Sequence, residues 1–503
     1  MSHSNSANSN GPGPFFRPIL IGLAVAQLLA TAQVFLSNRH LHAQVLALHR
    51  AGYLEIPSLA ALQHPGTIVS AVFGGLFFTL SIGAGLTLAT IGALWLWQTL
   101  ARRHRFVLIL LLLIWAGSLI LVNLNGLNVF ASLYFTLVPA AVALVQVRGS
   151  VKAPGRENGL RRLAPLWPLA LLAMLWGAQA DSRLFVDIRD YLLLSNPLGR
   201  SINDFYYRYT LYAAEAFKSL DQKLQRPCRI GTFYPPPLYR RLENQLRHRD
   251  YLVVKNDGPV AVQVEQNGDY LLWLDRDRSV LKVSAASFFT DPGAVLTSFS
   301  DQTDRSAYLR RFTFLGILFA FPILLYSAVY GAFKQVGGFF LRPSRAALFS
   351  GSLCFLAGAL LLVPVSSGSR RPVTAENLAA SIGAPDWRDR VAALKLIEKS
   401  KLEIAAYPSY RNLLASRHLP ERYWLARALA VSRDDRTIAD AVQLARDPHP
   451  NVVCQALYAL GQRQRPATVD LVLEIISSSD SWYVQRYGYI ALRSLGWRQP
   501  ASN

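Results

Sequence analysis

The chain has 503 residues, 52% hydrophobic and only 17% charged, with 52 Lys or Arg against 31 Asp or Glu and a formal net charge of +21. A surplus this basic could suit nucleic acid, but most of it sits in short segments beside long apolar blocks, which argues against a nucleic-acid partner. Blocks of eighteen or more residues without a charge are the mark of helices that cross a lipid bilayer.

Seven such blocks lie at about 18–36, 67–98, 106–122, 128–146, 163–180, 312–333 and 346–366. Ahead of them, residues 1–16 are rich in Ser, Asn, Gly and Pro and read as a disordered leader. Ala30-Thr31-Ala32 resembles a signal-peptide cleavage site, but the apolar run continues past it, so the first block is expected to stay as a span. Arg102, Arg103 and Arg105 follow the second block. Arg148, Lys152, Arg156, Arg161 and Arg162 follow the fourth, and Lys334, Arg342 and Arg345 the sixth. Positive residues stay on the cytoplasmic side, so alternation expects the N-terminus inside and 37–66, 181–311 and the C-terminal region outside. Arg370-Arg371, just past the last block, is the one dissonant pair. The implied location is the inner membrane of a bacterium, with the bilayer as an obligatory partner.

Within the bundle, the third and fourth blocks are joined by Asn123-Leu124-Asn125-Gly126, which is tight-turn chemistry. Ser81, Gly85, Ala89 and Ala93 recur every four residues and should let another helix of the same chain approach closely. No Asp, Glu, Lys, Arg or His lies inside a block, which argues against a proton or sodium pathway.

Residues 17–180 thus form a first membrane unit of five spans, and 312–366 supply the sixth and seventh. Between them, 181–311 read as a small α+β domain. It opens with a helical stretch carrying Phe205, Tyr206, Tyr207, Tyr209 and Tyr212, expected as helix core and membrane-interface anchors. A strand near 229–233, a helix over 238–249 and short strands at 251–254, 260–265, 270–274 and 280–284 follow as a helix-plus-meander pattern. Asn256-Asp257-Gly258 and Asn267-Gly268-Asp269 supply the turns. Cys228 and Cys454 both fall outside, where a disulfide is permitted, but they are too far apart on separate units to be an expected pair; Cys354 lies inside a span.

Residues 374–503 contain an internal repeat. Arg388–Ile397, Pro420–Leu429, Asn451–Leu460 and Tyr483–Leu492 align without gaps, making Ala393, Leu425, Ala456 and Gly488 equivalent at spacings of 32, 31 and 32. Ile397, Leu429, Leu460 and Leu492 are equivalent as well. Pro450-Asn451-Val452 followed by Ala456-Leu457 and Ala459-Leu460-Gly461 resembles HEAT-like repeats of the phycobilisome-lyase type. The resemblance implies an Arg after the Val position; Arg390 and Arg422 fit, whereas Val453 and Gln485 depart. It covers this quarter of the chain only and implies an α-solenoid with a long concave surface. The fold class expected is therefore mainly α: a polytopic bundle of about seven spans, a small α+β extracytoplasmic domain and a C-terminal solenoid.

Catalytic chemistry is thin. Asp275 and Asp277, at the end of Tyr270-Leu271-Leu272-Trp273-Leu274, resemble a metal-binding Asp-x-Asp, but a charged hairpin turn is the simpler expectation. His40, His42, His49, Glu55 and His64 lack a complete ligand set, and a solvated amphipathic helix accounts for them. No nucleophile–base pair, phosphate loop or cofactor site is expected. The function implied is a membrane scaffold or assembly factor that holds a protein partner through its repeats, with Trp387, Trp424 and Trp482 as candidate contacts. The alternative is an enzyme or lipid-handling component of envelope biogenesis, acting where spans and α+β domain meet.

Overall fold

The computed structural model describes residues 16–62, 66–101, 103–151, 165–255, 258–369 and 373–500. The leader, His64, Arg102, the basic residues Lys152 to Arg162, the Asn256-Asp257 turn and Arg370-Arg371 lie outside the described residues.

Five helices among them are long and apolar enough to cross a membrane: Arg17–Arg50, Ile68–Thr99, Val129–Arg148, Ala307–Gly337 and Pro343–Gly368. The expected seven is not reached on this measure. Arg105–Leu121 and Trp167–Gly177 are helical and apolar but only 17 and 11 residues long. They reach about 26 and 17 Å, against a hydrocarbon core of about 30 Å. The Asn123–Gly126 turn stops the first; the second lies along Pro343–Ser369, where Trp176 Nε1 donates to the Gly358 carbonyl at 3.2 Å.

The small-residue stripe works over half its length. Thr79–Gly83 and Gly316–Ala320 are each a wide i→i+5 turn within a longer helix, and they meet face to face. A Cβ on Gly316 would stand 2.3 Å from the Ser81 carbonyl oxygen, and one on Gly85 would meet the Phe312 ring at 3.0 Å. Ala89 is exposed. Deeper in the pair formed by the first two apolar helices, the Gln27 amide is satisfied by the Val72 carbonyl at 2.8 Å and by Thr79 Oγ1 at 2.7 Å.

The first helix runs unbroken from Phe16 to Arg50 and so projects well past its apolar stretch. That projection covers an edge of the sheet. The strands are β1 (Arg226–Ile230), β2 (Tyr251–Val253), β3 (Val262–Asn267), β4 (Tyr270–Asp275) and β5 (Arg278–Ser284), in the order β2-β1-β3-β4-β5. The expected meander is present in β3, β4 and β5, which pair antiparallel. β1 departs from it, pairing parallel with both β2 and β3. The helix Pro236–Arg247 accounts for the β1–β2 pair, since a helical crossover returns the chain in the same direction, and the chain then passes β1 to add β3 on its other side. Ala47, Leu48 and Tyr53 pack on Leu252 and Val254 beside β2, and Tyr53 Oη donates to the Val253 carbonyl at 3.2 Å. An edge strand that could recruit another chain is thereby closed. Trp273, fully buried against Phe288 and Phe299, centres the other side of the sheet.

The turn between the third and fourth apolar segments reaches the same end of the molecule. Asn125 Nδ2 donates to the carbonyls of Asp301 and Asp304 at 3.1 and 3.0 Å, and Asn128 Nδ2 to that of Arg305 at 3.0 Å.

Candidate functional site at the junction of helix, sheet and repeats

The second helices of the four repeats are Trp387–Ser400, Leu419–Val431, Pro450–Arg463 and Trp482–Ser494. The aligned positions Ala393, Leu425 and Ala456 are fully buried, as are Ile397, Leu429, Leu460 and Leu492. At the fourth such position Gly488 is required, because a Cβ would meet Ile476 at 2.5 Å. First helices are Leu378–Ile382, Ile438–Leu444 and Val469–Ser478; the second repeat substitutes short 3₁₀ turns, Ile404–Ala406 and Pro408–Leu413.

The Arg after the Val position ties one repeat to the next. Arg390 bonds the Ala384 carbonyl, six residues back, and Glu421 of the following repeat. Arg422 does the same with the Ser416 carbonyl and with Asp447, at 2.6 Å. Gln485, which departs from the pattern, still reaches six residues back, Nε2 to the Ser479 carbonyl at 2.6 Å. Its amide turns to Ser58: Ser58 N donates to Oε1 at 2.9 Å, and Nε2 donates to Ser58 Oγ at 2.8 Å.

Ser58 belongs to a strap, residues 53–62, that leaves the first helix. Leu54 N donates to Gln499 Oε1 at 3.0 Å, and the Leu54 carbonyl accepts from Gln499 Nε2 at 2.8 Å and Gln225 Nε2 at 2.6 Å. Ile56 N donates to Gln225 Oε1 at 2.8 Å. Glutamines of the sheet unit and of the repeats therefore hold one piece of backbone between them. The same seam continues through Tyr489, whose hydroxyl donates to Asp250 Oδ1 at 2.6 Å, and Arg493, which donates to the His248 carbonyl at 2.7 Å. Ile56, Leu62 and Leu194 join the hydrophobic core of the repeats.

A second seam is ionic. Leu184–Ile188 and the wide turn Arg189–Leu193 follow the Trp167–Gly177 helix and place Asp187 and Asp190 against the second helices. The Asp190 side chain is fully buried. It accepts from Arg189 at 2.7 Å, Lys395 at 2.8 Å and Trp424 Nε1 at 2.8 Å. Lys395 also reaches Asp187 at 2.9 Å, and Arg189 donates to Tyr423 Oη at 2.8 Å. Burial alone would lower the pKa of Lys395, but Asp190, then Tyr191 and Asp187, outweigh it and hold the ammonium above its usual range. Burial acts likewise on Arg189 and is offset by Asp190 and Tyr423.

The three tryptophans all meet other parts of this chain. Trp424 is the Asp190 donor just described and is 8% exposed. Trp482, 6% exposed, lies under the Lys218 ammonium at 4.9 Å. Trp387 is half-buried, 5.7 Å from Tyr191 and stacked on His418 at 5.3 Å. The tyrosine group is shared between bundle and repeats: Phe205 and Tyr209 pack on Phe73 at 5.6 and 5.0 Å, and Tyr207 meets Tyr483 at 4.6 Å. Burial pushes the Tyr207 hydroxyl up to about 12. Asp275 is engaged by Arg305 at 2.5 Å, while Arg276 and Asp277, both left-handed, form the two-residue turn between β4 and β5. His49 contacts Glu55 at 3.1 Å. All three cysteines are free and buried.

Asp187, Asp190, Lys395 and the glutamines 225, 485 and 499 were not singled out from sequence. Asp187 and Asp190 lie three apart within ten residues of the end of an apolar block, a weak cue; isolated glutamines give none.

The comparison with protein families matches HEAT repeats to residues 407–493. These residues take in three of the four second helices, and the C-terminal part of the chain is a HEAT-repeat unit. No curated protein and no solved structure matches the chain.

Asp190→Asn should lower the unfolding free energy of the detergent-solubilised protein by about 3–5 kcal/mol, since it strips Arg189 and Lys395 of their shared buried partner. Trp424→Phe, which loses one bond to a carboxylate, should cost about 1.5–3 kcal/mol. Melting curves with a proteolysis readout check both; an unchanged Asp190→Asn variant contradicts the docking role. The raised Lys395 pKa adds a sign. Its stabilisation is complete below about pH 10 and disappears only as pH climbs through the folded value.

Proposed function

We propose that this is a multi-pass membrane scaffold whose HEAT repeats are fixed on the outer face of the bundle and hold a protein partner through the side turned away from it. The observation that carries this reading is the double use of the repeats. Their second helices are engaged by residues 184–215 and by the strap, whereas the first helices and the loops between repeats keep an exposed edge. HEAT solenoids present such surfaces to other proteins. Between the third and fourth repeats, Arg446, Pro448, Glu474, Ser478 and Asp480 border a groove with charged rims and Ile475 and Val484 at its floor. Of the three tryptophans, Trp387 is the least enclosed, but its contact with Tyr191 puts it on the side engaged by the bundle rather than on this edge.

Two groups of contacts support the sidedness. The strap is bonded to the sheet unit and the repeats, and the 123–128 turn to residues 301–305, whereas the opposite ends of Ala307–Gly337 and Pro343–Gly368 are joined by the 337–346 connection, which carries Arg342 and Arg345. That supports cytoplasmic basic loops and extracytoplasmic sheet and repeats, in an inner membrane. On this reading the two short apolar helices complete a seven-span path, the second of them leaning on its neighbour. The alternative, a lipid-handling component, is favoured by one specific observation: polar side chains converge at the outer end of the first span.

Reporter fusions after Lys334 should read as cytoplasmic and those after Arg436 as external; a cytoplasmic signal at Arg436 contradicts the sidedness. For the partner surface, the pair Glu474→Lys and Asp480→Lys reverses two exposed charges without touching the core. Affinity purification of the full chain should lose its co-purifying protein at unchanged melting temperature. Full retention would remove this edge as the docking surface.

A further inference from the structure

A cavity opens where the first helix leaves its apolar stretch. Ser37, His40 and Gln44 line it from that helix, Glu215 and Lys223 from the segment leading into the sheet, and Trp482 from the last repeat. Its charges are unequally served. Glu215 is neutralised by Lys218, whose ammonium also faces the Trp482 ring. Lys223 has no acceptor for its ammonium among the described residues, and Gln44, only 5% exposed, has no hydrogen-bond partner for its amide among them. Burial lowers the pKa of Lys223, with Glu215 pulling the other way, and burial followed by Lys223 and Arg276 lowers that of His40. Polar donors enclosed without acceptors are costly unless something else in the cavity satisfies them.

The cavity's level in the molecule narrows the choice. Leu36, the last residue of the apolar run, is 52% exposed, and Ser37 follows it directly. With that run in a bilayer, the cavity would stand where the hydrocarbon ends and the polar headgroup layer begins. A free ammonium rejects a cation. An ammonium, an amide, a hydroxyl and an imidazole arriving from several directions suit a tetrahedral oxyanion with several acceptor oxygens.

We propose that this cavity binds a phosphate group, and that in the membrane the phosphate is the headgroup of an anionic phospholipid. The lipid source rests on the membrane reading given above; the phosphate site does not. Bound there, the headgroup would tie the first span, the sheet unit and the last repeat together from outside the protein fabric.

The test uses the full-length protein, delipidated in detergent. Native mass spectrometry follows uptake of phosphatidylglycerol, and calorimetry follows glycerol 3-phosphate and inorganic phosphate as headgroup-sized probes. Wild type should retain the lipid. Lys223→Gln should weaken retention about tenfold, the loss of one charge-assisted contact, and Gln44→Leu should weaken it less. Neither change should lower the melting temperature in the absence of lipid, because neither side chain has a hydrogen bond to lose among the described residues and burial of the Lys223 charge outweighs the pull of Glu215. Equal lipid retention by wild type and Lys223→Gln, with no phosphate uptake by either, overturns the proposal. Uptake of the small phosphates through Lys223 without lipid retention keeps the site and overturns its lipid source. If the protein proves monodisperse in water without detergent yet still takes up phosphate through Lys223, the membrane reading fails and the site stands.

Discussion

Buried backbone must find hydrogen-bond partners, and residues 54–58 find theirs in glutamine side chains rather than in a sheet. Gln499 and Gln225 share the Leu54 carbonyl, Gln225 takes the Ile56 amide, and Gln485 takes that of Ser58. A primary amide offers donor and acceptor together and can close such a pair without leaving a charge behind. Because the strap is the direct continuation of the first helix, this one set of bonds fixes three things at once: the end of the bundle, the edge of the sheet and the last repeat. The strap also joins the repeats directly, because its Ile56 and Leu62 are part of their hydrophobic core.

The ionic seam around Asp190 has a different character. Ion pairs inside a protein repay their desolvation poorly, and an apolar replacement could be as stable. Their geometry is what distinguishes them. Asp190 accepts from Arg189, Lys395 and Trp424, so the 184–193 segment can sit on the second helices in one orientation only. The strap supplies a second fixed point, and together the two seams fasten the repeats to the helical bundle and the sheet unit.

Local patterning carried much of this architecture. The apolar blocks became helices, and the aligned positions from Ala393 to Leu492 became the repeat core because a helix period of 3.6 places them on one face. The Asp275–Asp277 turn followed from its charged tip. Span length was less legible, since composition marks an apolar run without marking where a turn or proline stops the helix, as at Arg105–Leu121. The parallel pairing of β1 was missed for a related reason: a short strand states its burial but not its neighbour. Least legible was the junction itself. Gln485 read as a departure from the repeat pattern, whereas its amide is taken up by Ser58 of the strap. Trp424 read as a candidate partner contact, because nothing near it in the chain announces that Asp190 will arrive from 234 residues away.

Amide hydrogen exchange across residues 54–58 tests the strap most directly. If the glutamine clamp holds the molecule together, the amides of Leu54, Ile56 and Ser58 in the intact protein exchange as slowly as those of the Pro450–Arg463 helix, and Gln485→Ala releases Ser58 first. Exchange of the strap at the rate of free peptide, while that helix stays protected, would contradict the account.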